Sequence, residues 1–94
     1  MIDMTRMDEL RAEIGQEDLV MILDVYLAEA GEMLASLSDT LSPDDRAKAL
    51  HFLRSGALNL GLDGLAAAAD RPDIDVDALT AAFDATRRAV ATEA

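Results

Sequence analysis

Residues 17–37 read EDLVMILDVYLAEAGEMLASL, and they give the clearest indication of secondary structure in the chain. The acids Glu17 and Asp18 favour a helix start, because acidic side chains are stabilised at the positive end of the helix dipole. The apolar residues that follow recur at steps of three and four, the spacing of one helix face. They are Leu19, Ile22, Leu23, Tyr26, Leu27, Ala30, Met33, Leu34 and Leu37. The stretch therefore predicts one long amphipathic helix.

The sequence on either side predicts four more helices. Gly15 favours a helix end, and Ser42 followed by Pro43 is a strong helix start, with Ser as N-cap and Pro in the first turn. Pro72 begins a linker that continues to Asp75. The predicted helices, with the long one second, are Met4–Ile14, Glu17–Leu37, Pro43–Leu60, Asp63–Asp70 and Val76–Thr92, with a short connection at 38–41. Because short connections make neighbouring helices antiparallel, we expect a single all-α domain over residues 1–94. Its predicted form is an up-and-down antiparallel four-helix bundle with a short extra N-terminal helix.

Composition and charge narrow the classes of function. The chain has 94 residues and a net charge of −11, with 19 acidic and eight basic side chains. Such an excess of acid disfavours binding to nucleic acid or to an anionic membrane surface. The chain has no cysteine, which excludes disulfides and thiolate chemistry. No segment has the pattern of a signal peptide or a membrane span, so we expect a cytoplasmic protein.

Apolar residues also lie on the outer side of the long helix. Met21, Val25 and Ala28 fall opposite the apolar stripe, where polar residues are expected. One interpretation is scattered apolar residues of an ordinary surface, and the other is a docking patch. The sequence leaves both open.

The single histidine, His51, falls near the middle of the third predicted helix. On a helical wheel Leu50, Leu53, Ala57 and Leu60 cluster on the side away from His51, which predicts that they face the core. The imidazole is therefore predicted to be exposed. A neutral imidazole keeps a lone pair on one ring nitrogen and is a nucleophile toward phosphorus.

Two basic side chains flank His51. Arg54 lies one turn along the same side, where its guanidinium is suited to phosphoryl oxygens, and Lys48 adds a second positive charge. Ser55 is small and leaves room for an approaching partner. Leu58 supplies an apolar side chain on the same outer face. By itself, an exposed histidine on a helix is most often an ordinary surface residue.

The segment from Leu50 to Gly61, LHFLRSGALNLG, resembles the signature of histidine-containing phosphotransfer (HPt) domains. That signature is a His followed by x-Leu-Lys-Gly and, further on, Asn-x-Gly. His51, Leu53, Asn59 and Gly61 match it. Arg54 stands where the family has Lys, and Ser55 stands where it has Gly. A weaker likeness extends over most of the chain, through the first helix ending at Gly15 and the long helix that bears Tyr26, while the last third matches only as generic helix.

The resemblance implies a phosphorelay protein and not an enzyme. His51 would accept a phosphoryl group from the aspartate of a response-regulator receiver domain and pass it to another receiver. A hybrid histidine kinase is a further expected partner. Arg54 and Lys48 would stabilise the phosphoryl charge, while Ser55, Leu58, Met21, Val25 and Ala28 would dock the partner. The chain would need no cofactor, since the receiver holds the Mg²⁺ ion.

Three alternatives remain at this point. The altered Arg54–Ser55 pair is compatible with a degenerate HPt-like bundle that docks receivers or regulates a kinase without carrying phosphate. The second alternative is an unrelated acidic interaction module. An independent enzyme is the third, but the chain lacks Glu-x-x-His pairs and a Gly-rich phosphate loop. The acids between Asp70 and Asp77 lack the central Gly and closing Glu of a calcium loop and are expected to form a solvated turn.

Overall fold

The structure is a computed structural model that describes residues 2–37 and 42–93, and within those ranges it is all-helical. The five helices are α1 (Met4–Ile14), α2 (Gln16–Leu37), α3 (Pro43–Asn59), α4 (Asp63–Ala69) and α5 (Val76–Glu93). All five were predicted from the sequence, with bounds that agree to within one residue. The predicted connection at 38–41 lies outside the described residues. None of the described helices is both long enough and apolar enough to cross a bilayer.

Side-chain caps fix where several helices begin. The Ser42 hydroxyl accepts a hydrogen bond from the Asp45 backbone N–H at 3.1 Å, and Pro43 opens α3 as predicted. Asp3 caps α1 by accepting from the Arg6 N–H at 3.2 Å. Asp75 accepts from the Ala78 N–H at 2.7 Å at the start of α5. Because these caps are local in sequence, the helix starts could be predicted from the sequence alone.

The core is made of the inward faces of the helices. Leu19, Leu23, Leu53, Leu65 and Leu79 are fully buried. The prediction for α2 was wrong at one position of its stripe, because Ile22 is 42% exposed. Successive residues of a helix are about 100° apart around its axis, which places Ile22 about 80° from the centre of the buried face of α2. At that angle the side chain faces solvent.

The first helix closes the end of the helix that carries the histidine. The Asp3 N–H donates to the Gly61 carbonyl at 2.8 Å, and the Arg6 side-chain Nε donates to the Asn59 carbonyl at 2.9 Å. Gly61 has a φ of 75°, the left-handed conformation that favours glycine after a helix. The N-terminal segment thereby supplies hydrogen-bond donors to Asn59, the last residue of α3, and to Gly61 just beyond it.

The helix α3 packs against two other helices. It contacts α2 on one side and α4 on the other, while α5 packs against both α2 and α4. The described residues form a body of 41 × 19 × 17 Å. One long side of α3 is left facing outward between α2 and α4, and His51 lies on that side.

Candidate functional site

His51 is exposed in the third turn of α3, as the helical wheel predicts. Leu50, Leu53 and Ala57 are buried on the opposite side, and Leu53 and Ala57 have no exposed surface at all. The imidazole is therefore presented to solvent by a helix whose other face is embedded in the core. Such a helix fixes where the ring is attached and leaves it open to a large partner.

The serine one turn after His51 touches its ring. The Ser55 Oγ lies 3.4 Å from the His51 Nε2, at the long end of hydrogen-bond range. The hydroxyl can donate to a ring nitrogen with a lone pair or accept from a protonated one. Ser55 was predicted to leave room for a partner, and in the structure it also contacts the His51 ring.

The two basic residues near His51 differ in their surroundings. The Arg54 Nε forms an ion pair with the Asp70 carboxylate at 2.8 Å, which links α3 to the end of α4. Lys48 is exposed and forms no ion pair with any residue that the structure describes. The guanidinium predicted to face a phosphoryl group thus already has an anionic partner.

A shallow depression lies on the α4 side of His51. Its volume is about 290 Å³, and it is lined by Ala47, Leu50, His51, Arg54, Ala69, Asp70 and Pro72. The imidazole, the guanidinium and the Asp70 carboxylate therefore share one surface. This side of the histidine therefore combines charged groups with apolar side chains.

An apolar groove lies on the other side of His51, between α2 and α3. It has a volume of about 330 Å³ and is lined by Met21, Ile22, Val25, Tyr26, Glu29, Phe52, Gly56, Asn59 and Leu60. Met21 is 59% exposed and Val25 is 53% exposed, so both offer apolar surface to a partner. His51 thus lies between an apolar groove on one flank of α3 and a depression that contains charged groups on the other.

The floor of this groove is built around Tyr26. Its ring stacks on Phe52 with the ring centroids 6.0 Å apart, and its hydroxyl donates to the Leu53 carbonyl at 2.6 Å. Burial raises the pKa of Tyr26 to about 12, while a hydrogen bond with the Ala57 backbone acts in the opposite direction. Gly56 lies directly under the ring, where a Cβ atom would overlap it. The tyrosine therefore fixes α2 against α3 within one turn of His51.

The residues predicted to dock a partner do not form a single patch. Met21 and Val25 line the groove, and Ala28 is exposed but is not part of its lining. Leu58 is 49% exposed but lines a different depression, on the α4 side, together with Arg54 and Asp70. Leu58 and the α2 residues therefore line depressions on different flanks of α3, and their shared role in docking a partner stays a prediction.

Sequence reasoning missed three residues of the site. Phe52 and Tyr26 form the groove floor, and Asp70 binds Arg54. A weak signal existed for the first two, since Gly56 inside a helix indicates the close approach of another group. Nothing in the sequence pairs Asp70 with Arg54, because the two meet only after α4 has packed on α3.

The part of the chain that the structure describes has no cluster of side chains suited to bind a metal ion. Among residues 2–37 and 42–93, no three His, Asp or Glu side chains are grouped so as to hold a metal ion. Within the acidic stretch after α4, Asp70 pairs with Arg54 and Asp75 caps α5. These two acids therefore have structural partners in the fold.

Comparisons with protein-family models, with curated proteins and with solved structures found no match.

Proposed function

We propose that this chain is a phosphoryl carrier of the HPt type. His51 accepts a phosphoryl group from the aspartyl phosphate of one receiver domain and passes it to the aspartate of another. The observation that carries the proposal is the exposed imidazole in the middle of a helix whose opposite face is buried. In this proposal the chain supplies the nucleophile, and the receiver supplies the geometry and the catalytic groups for transfer.

The proposed transfer is a displacement at phosphorus. A ring nitrogen of His51 attacks the phosphorus atom, an N–P bond forms, and the bond from phosphorus to the receiver's aspartyl oxygen breaks. The aspartate leaves as a carboxylate, and Mg²⁺ held by the receiver balances the charge on the phosphoryl oxygens. On this chain, Arg54 is the cation best placed to stabilise those oxygens, and exposed Lys48 adds charge nearby.

The groove between α2 and α3 is proposed as the docking surface for the receiver. It is apolar, it is open, and it lies close to His51, because Phe52, the next residue of α3, is part of its lining. An apolar surface seals water from the transferring group once a partner covers it. Met21 and Val25 are its most exposed aliphatic members.

The fold supports the same proposal. We propose that the helices form an up-and-down antiparallel four-helix bundle with α1 as the short extra helix. The packing of α3 between α2 and α4, and of α5 against both, is that expected of such a bundle. In this scheme the carrier needs no cofactor of its own and works in the cytoplasm.

A second candidate is a bundle that docks receivers, or regulates a kinase, without carrying phosphate. Two observations favour it: the Ser55 hydroxyl lies against the His51 ring, and Arg54 is bound to Asp70. Both reduce the freedom of groups that transfer would use. Docking is common to the two candidates, so only the fate of the phosphoryl group separates them.

The test is incubation of the full chain with receivers carrying labelled aspartyl phosphate. The carrier proposal predicts acid-labile, base-stable label on the native chain and none on His51→Gln. His51 is exposed, so this substitution leaves the core intact and circular dichroism should show an unchanged fold. Binding of receivers without any label would support the regulatory candidate, and the absence of both binding and label would contradict the two of them.

A further inference from the structure

The ion pair between Arg54 and Asp70 joins the histidine helix to the end of α4. The Arg54 Nε lies 2.8 Å from an Asp70 carboxylate oxygen, and the two side chains are 44% and 66% exposed. Asp70 is the C-cap residue of α4, where an acid gains nothing from the helix dipole. The helix itself therefore does not account for an acid at this position.

Asp70 and Arg54 lie on the same surface as the nucleophile. Both line the depression on the α4 side of His51, together with His51 itself. Residues three apart on a helix are neighbours, with about 5–6 Å between their Cβ atoms, so the Arg54 side chain can reach a group bound to the His51 ring. One guanidinium thus has two alternative anions within reach once His51 carries phosphate.

We propose that Asp70 is a positioning residue that holds Arg54 away from His51 and competes with the phosphoryl group for its guanidinium. This inference rests on the proposed function. The Asp70 carboxylate disfavours a phosphoryl group on His51 in two ways. It occupies the Arg54 Nε, and it places a negative charge beside an incoming anion. Asp70 therefore slows phosphorylation of His51 and shortens the lifetime of phosphohistidine.

A small phosphodonor tests this chemistry without any receiver. Phosphoramidate transfers its phosphoryl group to exposed imidazoles: the N–P bond to His51 forms, the P–N bond of the donor breaks, and ammonia leaves. The imidazole N–H proton passes to solvent. The rate of labelling and the rate of later hydrolysis are both followed by intact mass or phosphorus NMR on the full chain.

The comparison is between Asp70→Asn and a matched control, Asp73→Asn. Asp73 is an exposed acid three residues further on, and it forms no ion pair with any basic residue that the structure describes. Both substitutions remove one negative charge from the same end of the molecule. The free energy of an exposed ion pair corresponds to roughly a two- to fivefold change in a rate or equilibrium constant. Asp70→Asn should therefore be labelled about two to five times faster than Asp73→Asn. Asp70→Glu, which keeps the carboxylate, should return toward the native rate.

A double-mutant cycle shows whether Asp70 acts through Arg54. In an Arg54→Gln background, Asp70→Asn should no longer change the labelling rate beyond what Asp73→Asn does. Equal rates for Asp70→Asn and Asp73→Asn, an effect that persists without Arg54, or no label on any variant would overturn the inference. The proposed function fails separately, if phosphoramidate labels His51 but no phosphorylated receiver does.

Discussion

At the scale of single residues, the contact between Gly56 and Tyr26 is the tightest constraint near the histidine. A Cβ atom on Gly56 would overlap the Tyr26 ring, lying 2.8 Å from its Cδ1. The ring has little freedom to move, since it stacks on Phe52 and its hydroxyl is bonded to the Leu53 carbonyl. Gly56 is therefore required by the approach of α2 to α3 and not by backbone conformation.

Gly56→Ala should lower the free energy of unfolding by about 1–3 kcal/mol, because overpacking costs more than the helix propensity gained. The measurement is urea unfolding followed by circular dichroism. Gly31→Ala is the matched control, since a Cβ there would lie at 3.5 Å from the Phe83 Cζ, an ordinary contact. It should raise the stability by up to about 1 kcal/mol. A destabilisation of equal size in both variants would contradict the account.

The side of a helix on which a residue lies could be predicted from the sequence, but the side chains that it contacts could not. The exposure of His51 and the burial of Leu53 follow from the helical period and were predicted correctly. The Arg54–Asp70 pair depends on how α4 packs against α3 and has no local signature. The contact between Ser55 and His51 is local, but it depends on side-chain rotamers that the sequence pattern does not encode.

At the scale of elements, the helix ends were predictable because their signals are local. The start of α3 is set by the Ser42 cap and by Pro43, and the end of α1 is set by the backbone conformation of Gly15. The groove was not predictable, because it is formed by the relative placement of α2 and α3. The same placement leaves Ile22 at the groove edge and puts Leu58 on the other flank of α3.

The junction between α2 and α3 should respond to high pH through Tyr26. Burial raises its pKa from 10.0 to about 12, so the unfolded chain loses the phenol proton first as the pH rises. The stabilising contribution is complete below pH 10 and is lost as the pH rises to about 12. The free energy of unfolding should fall by roughly 2–3 kcal/mol over that interval. Tyr26→Phe should lack this pH dependence. The free energy of unfolding of both proteins is measured by urea unfolding at successive pH values.

Tyr26 is the single tyrosine and the chain has no tryptophan, so its ionisation can be read directly from near-ultraviolet absorbance. The folded protein should titrate near pH 12. A midpoint at the ordinary value for an exposed phenol would contradict the burial of the hydroxyl between the two helices.

The groove makes a prediction about partner affinity. Replacing both Met21 and Val25 by alanine should weaken receiver binding by roughly tenfold, since exposed apolar side chains at a docking centre carry much of the affinity. The measurement is calorimetric titration with a receiver domain. Val20→Ala is the control: Val20 is 38% exposed on the same helix, and it lines a pocket facing α5. Unchanged affinity in the double variant would show that Met21 and Val25 do not contribute to receiver binding.

At the scale of the whole molecule, the partner that we propose is another protein. The net charge of −11 disfavours nucleic acid, and the described helices bury their apolar faces against one another. The exposed apolar side chains between α2 and α3 are an exception, and they lie beside the single histidine. Fold class and charge could be read from the sequence, since both follow from composition and periodicity, whereas the coincidence of groove and histidine needed the folded chain.

A two-step transfer experiment asks whether His51 carries a phosphoryl group from one receiver to another. A receiver carrying labelled aspartyl phosphate is mixed with the full chain, the labelled chain is separated, and a second receiver is added. The account predicts that label moves to His51 and then to the second receiver, and that His51→Gln stops it at the first step. Label that never leaves the first receiver, or that reaches the His51→Gln chain equally well, would contradict it.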